Sequence, residues 1–171
     1  MRTMRIVEVG QCAMQDVQVM QYNSENLNKN DEQYTPAWVF ERLGLTFDLD
    51  VCAPKGGIGH IPALHHYSIE DDALVQPWTG RVWMNPPYSK PTPWADKFLE
   101  HGNGIALVPV TRGQWFDRLW DNADAVCLDL YNNKFDRPDG TKNAITFRTI
   151  FIALGADNAE ALNKLQLGKI R

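Results

Sequence analysis

The run Gly104-Ile-Ala-Leu-Val-Pro-Val110 most constrains what this chain can fold into. It holds neither a charge nor an apolar–polar alternation, the pattern of a strand buried on both faces. Such a strand needs a covering layer on each side, so helices are expected above and below a sheet. The rest of the chain supplies them. Thr35-Pro36 and Thr92-Pro93 each read as a threonine N-cap followed by proline at the first helical position. Gly44 and Gly102 stand where those helices would end in the left-handed conformation. Trp38, Val39 and Leu43 form the apolar face of the first helix; Trp94, Phe98 and Leu99 form that of the second. Further helices are expected over 114–120 and 157–165, and strands over 46–51, 81–84 and 125–130. Residues 144–154 read as one long strand or a bent pair, and 60–80 as irregular with a short turn near 69–74. Alternating strands and helices predict an α/β fold with a mostly parallel sheet flanked by helices. Residues 1–30, rich in Gln and Asn, read as a polar arm or linker with a short strand near 5–9. Residues 31–171 read as a single domain.

Composition narrows the function class. The 171 residues are 44% hydrophobic and 22% charged, as in ordinary globular proteins, with no apolar run of ~20 residues to cross a membrane. The amino terminus carries no secretory pattern, and Cys12, Cys52 and Cys127 form no CxxC pair, which points to a reducing cytoplasm. The net charge of −4 argues against gripping nucleic acid with the whole surface. Residues 1–85 hold six Lys and Arg against eleven Asp and Glu, a balance of −5; residues 86–171 hold eleven against ten, or +1. Phosphate contact is therefore expected from a local patch in the second half.

Asn85-Pro86-Pro87-Tyr88 follows the strand expected at 81–84, at its carboxyl end, where open α/β sheets bind ligands. Its bland reading is a proline-stiffened turn. Its chemical reading is methyl transfer to an exocyclic amine. The lone pair of such a nitrogen is delocalised into its ring. The Asn85 side-chain carbonyl and the Pro86 backbone carbonyl can both accept its N–H groups. That favours a pyramidal nitrogen and stabilises the positive charge that develops. Adjacent prolines stiffen the loop, and Tyr88 offers a flat face for a planar base.

Asp50 ends the preceding strand and can bind a ribose hydroxyl or an ammonium; it also reads as a solvated strand end. Gly56, Gly57 and Gly59 permit close backbone approach to a cofactor or form an ordinary loop, without a GxGxxG fingerprint. Asp71 and Asp72 read as a solvated acidic turn or as contacts to an adenosine. His60, His65 and His66 match no zinc spacing, so no metal is expected. Tryptophans 78, 83, 94, 115 and 120 read as core first. Lys134, Arg137, Lys142 and Arg148 form a net positive stretch, either a DNA-backbone surface or a solvated hairpin.

An ordered series runs through the chain: Tyr34-Thr35-Pro36, Phe47-Asp48-Leu49-Asp50-Val51-Cys52-Ala53, Asp72-Ala73-Leu74 with Trp78, then Asn85-Pro86-Pro87-Tyr88-Ser89 and Trp94. With Leu107-Val108-Pro109, Thr111, Trp115-Phe116 and Lys134-Phe135, it resembles the phage-type DNA N6-adenine methyltransferases over roughly residues 33–153. The four-residue motif alone is shared with other amine methyltransferases, including those acting on protein glutamine. The resemblance implies a Rossmann-like domain that binds S-adenosylmethionine and methylates an adenine flipped out of double-stranded DNA. It implies cofactor contacts from Tyr34, Thr35, Pro36, Asp50, Cys52, Ala53, Asp72 and Asn85. It implies catalysis by Asn85, Pro86, Pro87 and Tyr88, and substrate contacts from Tyr88, Ser89, Trp94, Lys134, Arg137 and Lys142. One departure stands out: Asp50 leads into Val-Cys-Ala-Pro rather than a glycine-rich turn. Sequence choice would fall to loops, the amino-terminal arm or a partner, a second copy of the chain included. Two alternatives stay open: a noncatalytic DNA- or protein-binding module, and an amine methyltransferase acting on protein or RNA.

Overall fold

The structure, a computed structural model, describes residues 33–129, 134–137, 140–144, 147–164 and 168–170. The arm over 1–30 and the strand expected near 5–9 lie outside the described residues. Four helices appear, α1 (Ala37–Leu43), α2 (Thr92–His101), α3 (Gln114–Asn122) and α4 (Ala156–Lys164). Strands β1 (Phe47–Asp50), β2 (Ala63–His66), β3 (Val82–Met84), β4 (Gly104–Pro109), β8 (Thr149–Leu154), β5 (Ala125–Asp129) and β9 (Gly168–Ile170) form one sheet in the spatial order 2-1-3-4-8-5-9. Strands β6 (Lys134–Asp136) and β7 (Lys142–Ala144) pair as a separate antiparallel hairpin.

β4 carries the burial its sequence demands. Ile105 and Leu107 join the core on the face covered by α1 and α4; Ala106 and Val108 join the core beneath α2 and α3. All four are at most 1% exposed. A Cβ on Gly104 would lie 2.3 Å from the Val82 carbonyl oxygen, so only glycine lets β4 start this close to β3. Between α1 and the sheet, Phe40 meets Trp83 edge-to-face at 4.8 Å, and Phe47 meets both rings, a contact set that fixes α1 on that face.

The sheet is a Rossmann-like α/β layer with two antiparallel intrusions. β2, β1, β3 and β4 are mutually parallel, whereas β8 runs antiparallel between β4 and β5, and β9 runs antiparallel to β5. The 144–154 segment is thus two strands in different sheets, because Lys142–Ala144 pairs with β6 while Thr149–Leu154 enters the core. β2 interrupts the otherwise irregular chain expected at 60–80, in which the turn near 69–74 is present. It is an edge strand with mostly exposed side chains, held through backbone pairing of Phe47 with Ala63 and Asp50 with His66, so no apolar pattern betrays it.

Both threonine caps are displaced by one residue. Pro36 occupies the α1 cap in extended conformation, and Thr35, restricted by the proline after it, caps nothing. Pro91 already has helical angles at the α2 cap, which makes Thr92 the first helical residue and Pro93 the second. Both helices end as expected, Gly44 and Gly102 adopting φ 62 and φ 71.

Candidate active site

The chain leaves β1 to build β2 on one side and leaves β3 to build β4 on the other. The sheet reverses its build direction between β1 and β3, which opens a crevice at their carboxyl ends. Asp50 is the last residue of β1, and Asn85 directly follows β3. Topology therefore brings together two residues 35 positions apart in sequence.

Around them lies one cleft. Its floor is Asp50–Ala53, one wall is Asn85 with Pro87, and the other is the turn through Ser68 and Asp72–Leu74 after β2. The strap Gln33–Thr35 crosses it, and Trp94 of α2 closes one end. The strap is tied on both sides. Tyr34 exchanges backbone bonds with Asp136 of the β6–β7 hairpin at 2.8 and 2.9 Å, and His60 Nε2 donates to the Thr35 carbonyl at 2.8 Å. Phe135, fully buried in the α1-side core, anchors that hairpin.

Asn85 is oriented without ambiguity. Its Nδ2 donates to the Gln33 carbonyl at 2.6 Å and approaches Thr35 Oγ1 at 3.4 Å. A backbone carbonyl only accepts, so the amide nitrogen must face the strap and Oδ1 must face away. Oδ1 accepts the Tyr88 hydroxyl at 2.9 Å. The Tyr88 ring meets the exposed Phe147 edge-on at 5.8 Å. Burial, then the nearby Cys52 thiol, holds the Tyr88 hydroxyl above its ordinary range, so it is a neutral donor.

Asp50 is 3% exposed. Oδ1 accepts the Cys52 N–H at 3.1 Å, and Oδ2 has no hydrogen-bond partner among the described residues. Burial pushes its carboxyl up to about 7, against the opposing pull of that N–H. Burial first, and the Asp50 charge second, likewise raise the Cys52 thiol, which stays protonated. A buried carboxylate with a vacant acceptor facing a cleft is suited to a ligand cation or a donor.

The wall after β2 is held from two directions. Asp71 Oδ2 accepts from the Ser68 backbone N–H at 2.7 Å and the Ser68 hydroxyl at 2.8 Å, bonds that hold its carboxyl below the usual range. From α2, Lys97 Nζ donates to the carbonyls of Ala73, Leu74 and Gln76 at 2.9, 2.8 and 2.5 Å, and lies 5.2 Å from the Trp78 ring centre. Trp78 stacks on Trp94 at 6.4 Å.

Of the residues singled out from sequence, Tyr34, Thr35, Asp50, Cys52, Ala53, Asp72, Asn85, Pro87 and Trp94 line the cleft. Pro36 and Pro86 are buried outside its lining, Tyr88 touches Asn85 from the rim, and Ser89 is exposed beyond it. Exposed Lys134 and Lys142 and half-buried Arg137 sit on the hairpin next to the strap, outside the lining. Asp71 holds its own turn. Among the described residues no cluster of His, Cys, Asp and Glu could hold a metal ion, and no helix is long and apolar enough to cross a membrane. Sequence reading missed Gln33, Ser68, Lys97 and Phe147. Ser68-x-x-Asp71 carries a capping-box-like spacing that signals its turn. Gln33 acts through its backbone carbonyl, which no residue pattern marks.

The family described as DNA N-6-adenine-methyltransferase (Dam) matches residues 23–160. A protein of Haemophilus phage HP1 (strain HP1c1) named DNA N-6-adenine-methyltransferase is 31% identical over 115 residues, covering 59% of this chain and 64% of that relative. The chain thus spans just under two thirds of that relative's length. No solved structure matches it significantly. Membership of a methyltransferase family implies a methyl donor. The family match embraces the strap, both cleft walls and the Asn85–Tyr88 loop, and the chain belongs to the DNA N-6-adenine-methyltransferase (Dam) family.

Proposed function

We propose that this protein transfers a methyl group from S-adenosylmethionine to N6 of an adenine in double-stranded DNA. The observation that carries the reading is the fixed Asn85 amide. Its Oδ1 faces a hydrogen-bond donor at 2.9 Å, beside a cleft that ends in a buried carboxylate. The Tyr88 hydroxyl stands in for an amine N–H at that oxygen. A flipped adenine would displace the hydroxyl, offer N6 to Asn85 Oδ1 and the Pro86 carbonyl, and stack on the Tyr88 ring.

The cleft fits the donor's chemistry. The methyl on the sulfonium of S-adenosylmethionine is the electrophile when the cofactor is bound. Asp50 would hold the donor's ammonium or its ribose hydroxyls, which relieves the burial of its charge. Tyr34 and Thr35 of the strap would cover the cofactor, while Cys52, Ala53 and Asp72 line its bed. Asn85 orients the accepting nitrogen and stabilises the charge that develops there, and the methylated nitrogen then loses its proton to water. Ser89 and Trp94 extend the substrate side, and Lys134, Arg137 and Lys142 would meet the DNA backbone.

Residues 31–171 are read as one methyltransferase domain because all strands but the β6–β7 hairpin share one sheet, and Phe135 of that hairpin is buried in the same core; the reaction is read as cytoplasmic. The test is incubation with tritiated S-adenosylmethionine and DNA, RNA or protein in parallel. Label in N6-methyladenine of DNA is expected. Asn85→Ala should cut it at least ~100-fold, the scale of removing one transition-state hydrogen bond. Label in RNA or protein alone, or no donor binding by calorimetry, would overturn the reading.

A further inference from the structure

Most cations whose side chains are described have a partner. Lys55 pairs with Glu70, Arg118 with Asp96 and Lys164 with Glu160. Arg42 lies over Trp38, Arg81 bonds Asn158 and the Thr46 carbonyl, and Lys97 bonds three carbonyls. Four exposed cations have no side-chain hydrogen bond or ion pair among the described residues: Arg112, Lys134, Lys142 and Arg148. All four belong to segments at the edge that carries Asn85.

Two of the four, Arg112 and Arg148, stand where the β4–β8 ladder ends, next in the chain to Phe147 on the β8 side. β4 and β8 are antiparallel, with Pro109 opposite Thr149, and the ladder continues through the Val110 N–H to the Arg148 carbonyl at 2.9 Å. The chain leaving β4 toward Arg112 and the chain entering β8 from Phe147 and Arg148 therefore emerge side by side. Phe147, 38% exposed, meets the ring of Tyr88, which in turn bonds Asn85. The acidic stretch Glu70-Asp71-Asp72 follows β2, which lies three strands from β4 on the far flank of the sheet. Two exposed guanidinium groups on adjacent chain segments, without carboxylate partners among the described residues, favour an anion between them. Arginine suits phosphate oxygens, which it binds in two-pronged fashion.

We propose that Arg112 and Arg148 form a phosphate clamp that seats the nucleic-acid backbone beside the Tyr88–Phe147 pair, with Lys134 and Lys142 extending the contact along the hairpin. This rests on the DNA-methyltransferase reading, and it assigns the docking flank to β4–β8 rather than to the β2 side. The clamp neutralises phosphates without reading bases, so it positions the duplex and contributes no sequence choice.

The experiment measures binding of a duplex oligonucleotide from 50 to 200 mM salt, together with steady-state methylation. Each of Arg112→Gln and Arg148→Gln should reduce the slope of log K against log salt by about 0.9, and the double variant by about 1.8. KM for DNA should rise roughly 10-fold in the double variant, with kcat and S-adenosylmethionine affinity unchanged. Arg112→Lys with Arg148→Lys should restore most of the slope, and Arg118→Gln, whose guanidinium is already paired with Asp96, should leave it at the wild-type value. An unaltered slope in the double glutamine variant of an active enzyme overturns the clamp and leaves the activity standing. Wild-type protein that binds DNA with the expected slope but methylates none retains the clamp and refutes the activity. Failure of the wild type to bind DNA refutes both.

Discussion

Asp50→Asn should make the protein without cofactor more stable at pH 8 and at the same time remove its affinity for the methyl donor. The carboxyl is 3% exposed, and burial raises it from 3.8 to about 7. At 1.36 kcal/mol per pKa unit, that difference corresponds to about 4 kcal/mol against the ionised form in the folded state. Because the folded value is the higher one, the favourable contribution is complete below pH 3.8. It declines as pH rises and is gone above about pH 7. Asparagine keeps an oxygen for the Cys52 N–H and carries no charge at any pH. Relaxation around the ionised side chain lowers the benefit to about 1–3 kcal/mol at pH 8, roughly 3–10 °C in Tm for a chain of this size. At pH 4 the two proteins should melt within about 2 °C of each other. Thermal melts of both proteins at pH 4, 6 and 8, with and without S-adenosylmethionine, provide the assay. The donor should raise Tm for the wild type at pH 8 and less at pH 6, as Asp50 protonates, and should not raise it for Asp50→Asn. A variant that melts below the wild type at pH 8, or that is stabilised by the donor as strongly, would refute this account of Asp50.

Tyr88→Phe removes the hydroxyl that occupies Asn85 Oδ1 but keeps the ring, so kcat should stay within about 3-fold and KM for DNA should not rise, whereas Tyr88→Ala should lower kcat/KM about 10- to 100-fold through lost stacking. Steady-state kinetics on one oligonucleotide separate the two. Lys97→Met leaves three carbonyls of the Ala73–Gln76 turn without their donor, and calorimetry should show donor affinity weakened about 10-fold, with a stability loss of about 1–3 kcal/mol in denaturant melts. Gly80→Ala sets a Cβ 2.1 Å from Asp48 Oδ2 at a φ of +64, and should lower stability by about 1–3 kcal/mol in the same melts with kcat retained.

The resemblance expected from the ordered series, and with it a Rossmann-like α/β fold, agrees with the family match and with the observed sheet. The buried run at β4 was legible because a strand covered on both faces leaves a continuous apolar signature in the chain itself. Gly44 and Gly102 were legible because helix termination by a left-handed residue is a local event. The Asn85–Tyr88 loop announced its position because two prolines must end a strand. β2 was not legible, and the sequence left the β7–β8 division open between one long strand and a bent pair. One is held by backbone pairing at an edge, and the other depends on which partner each half of the segment finds. The threonine caps failed by one residue because the neighbouring prolines and the strap claimed those positions. Asn85 was readable as an amide suited to an amine, but its orientation was decided by the Gln33 carbonyl 52 positions away. The residue types needed for the chemistry are a property of the sequence. The burial that raises Asp50, the hydroxyl resting on Asn85 and the grouping of unpaired cations on one flank exist only once distant segments meet, because desolvation and hydrogen-bond geometry depend on distances that a linear pattern does not contain.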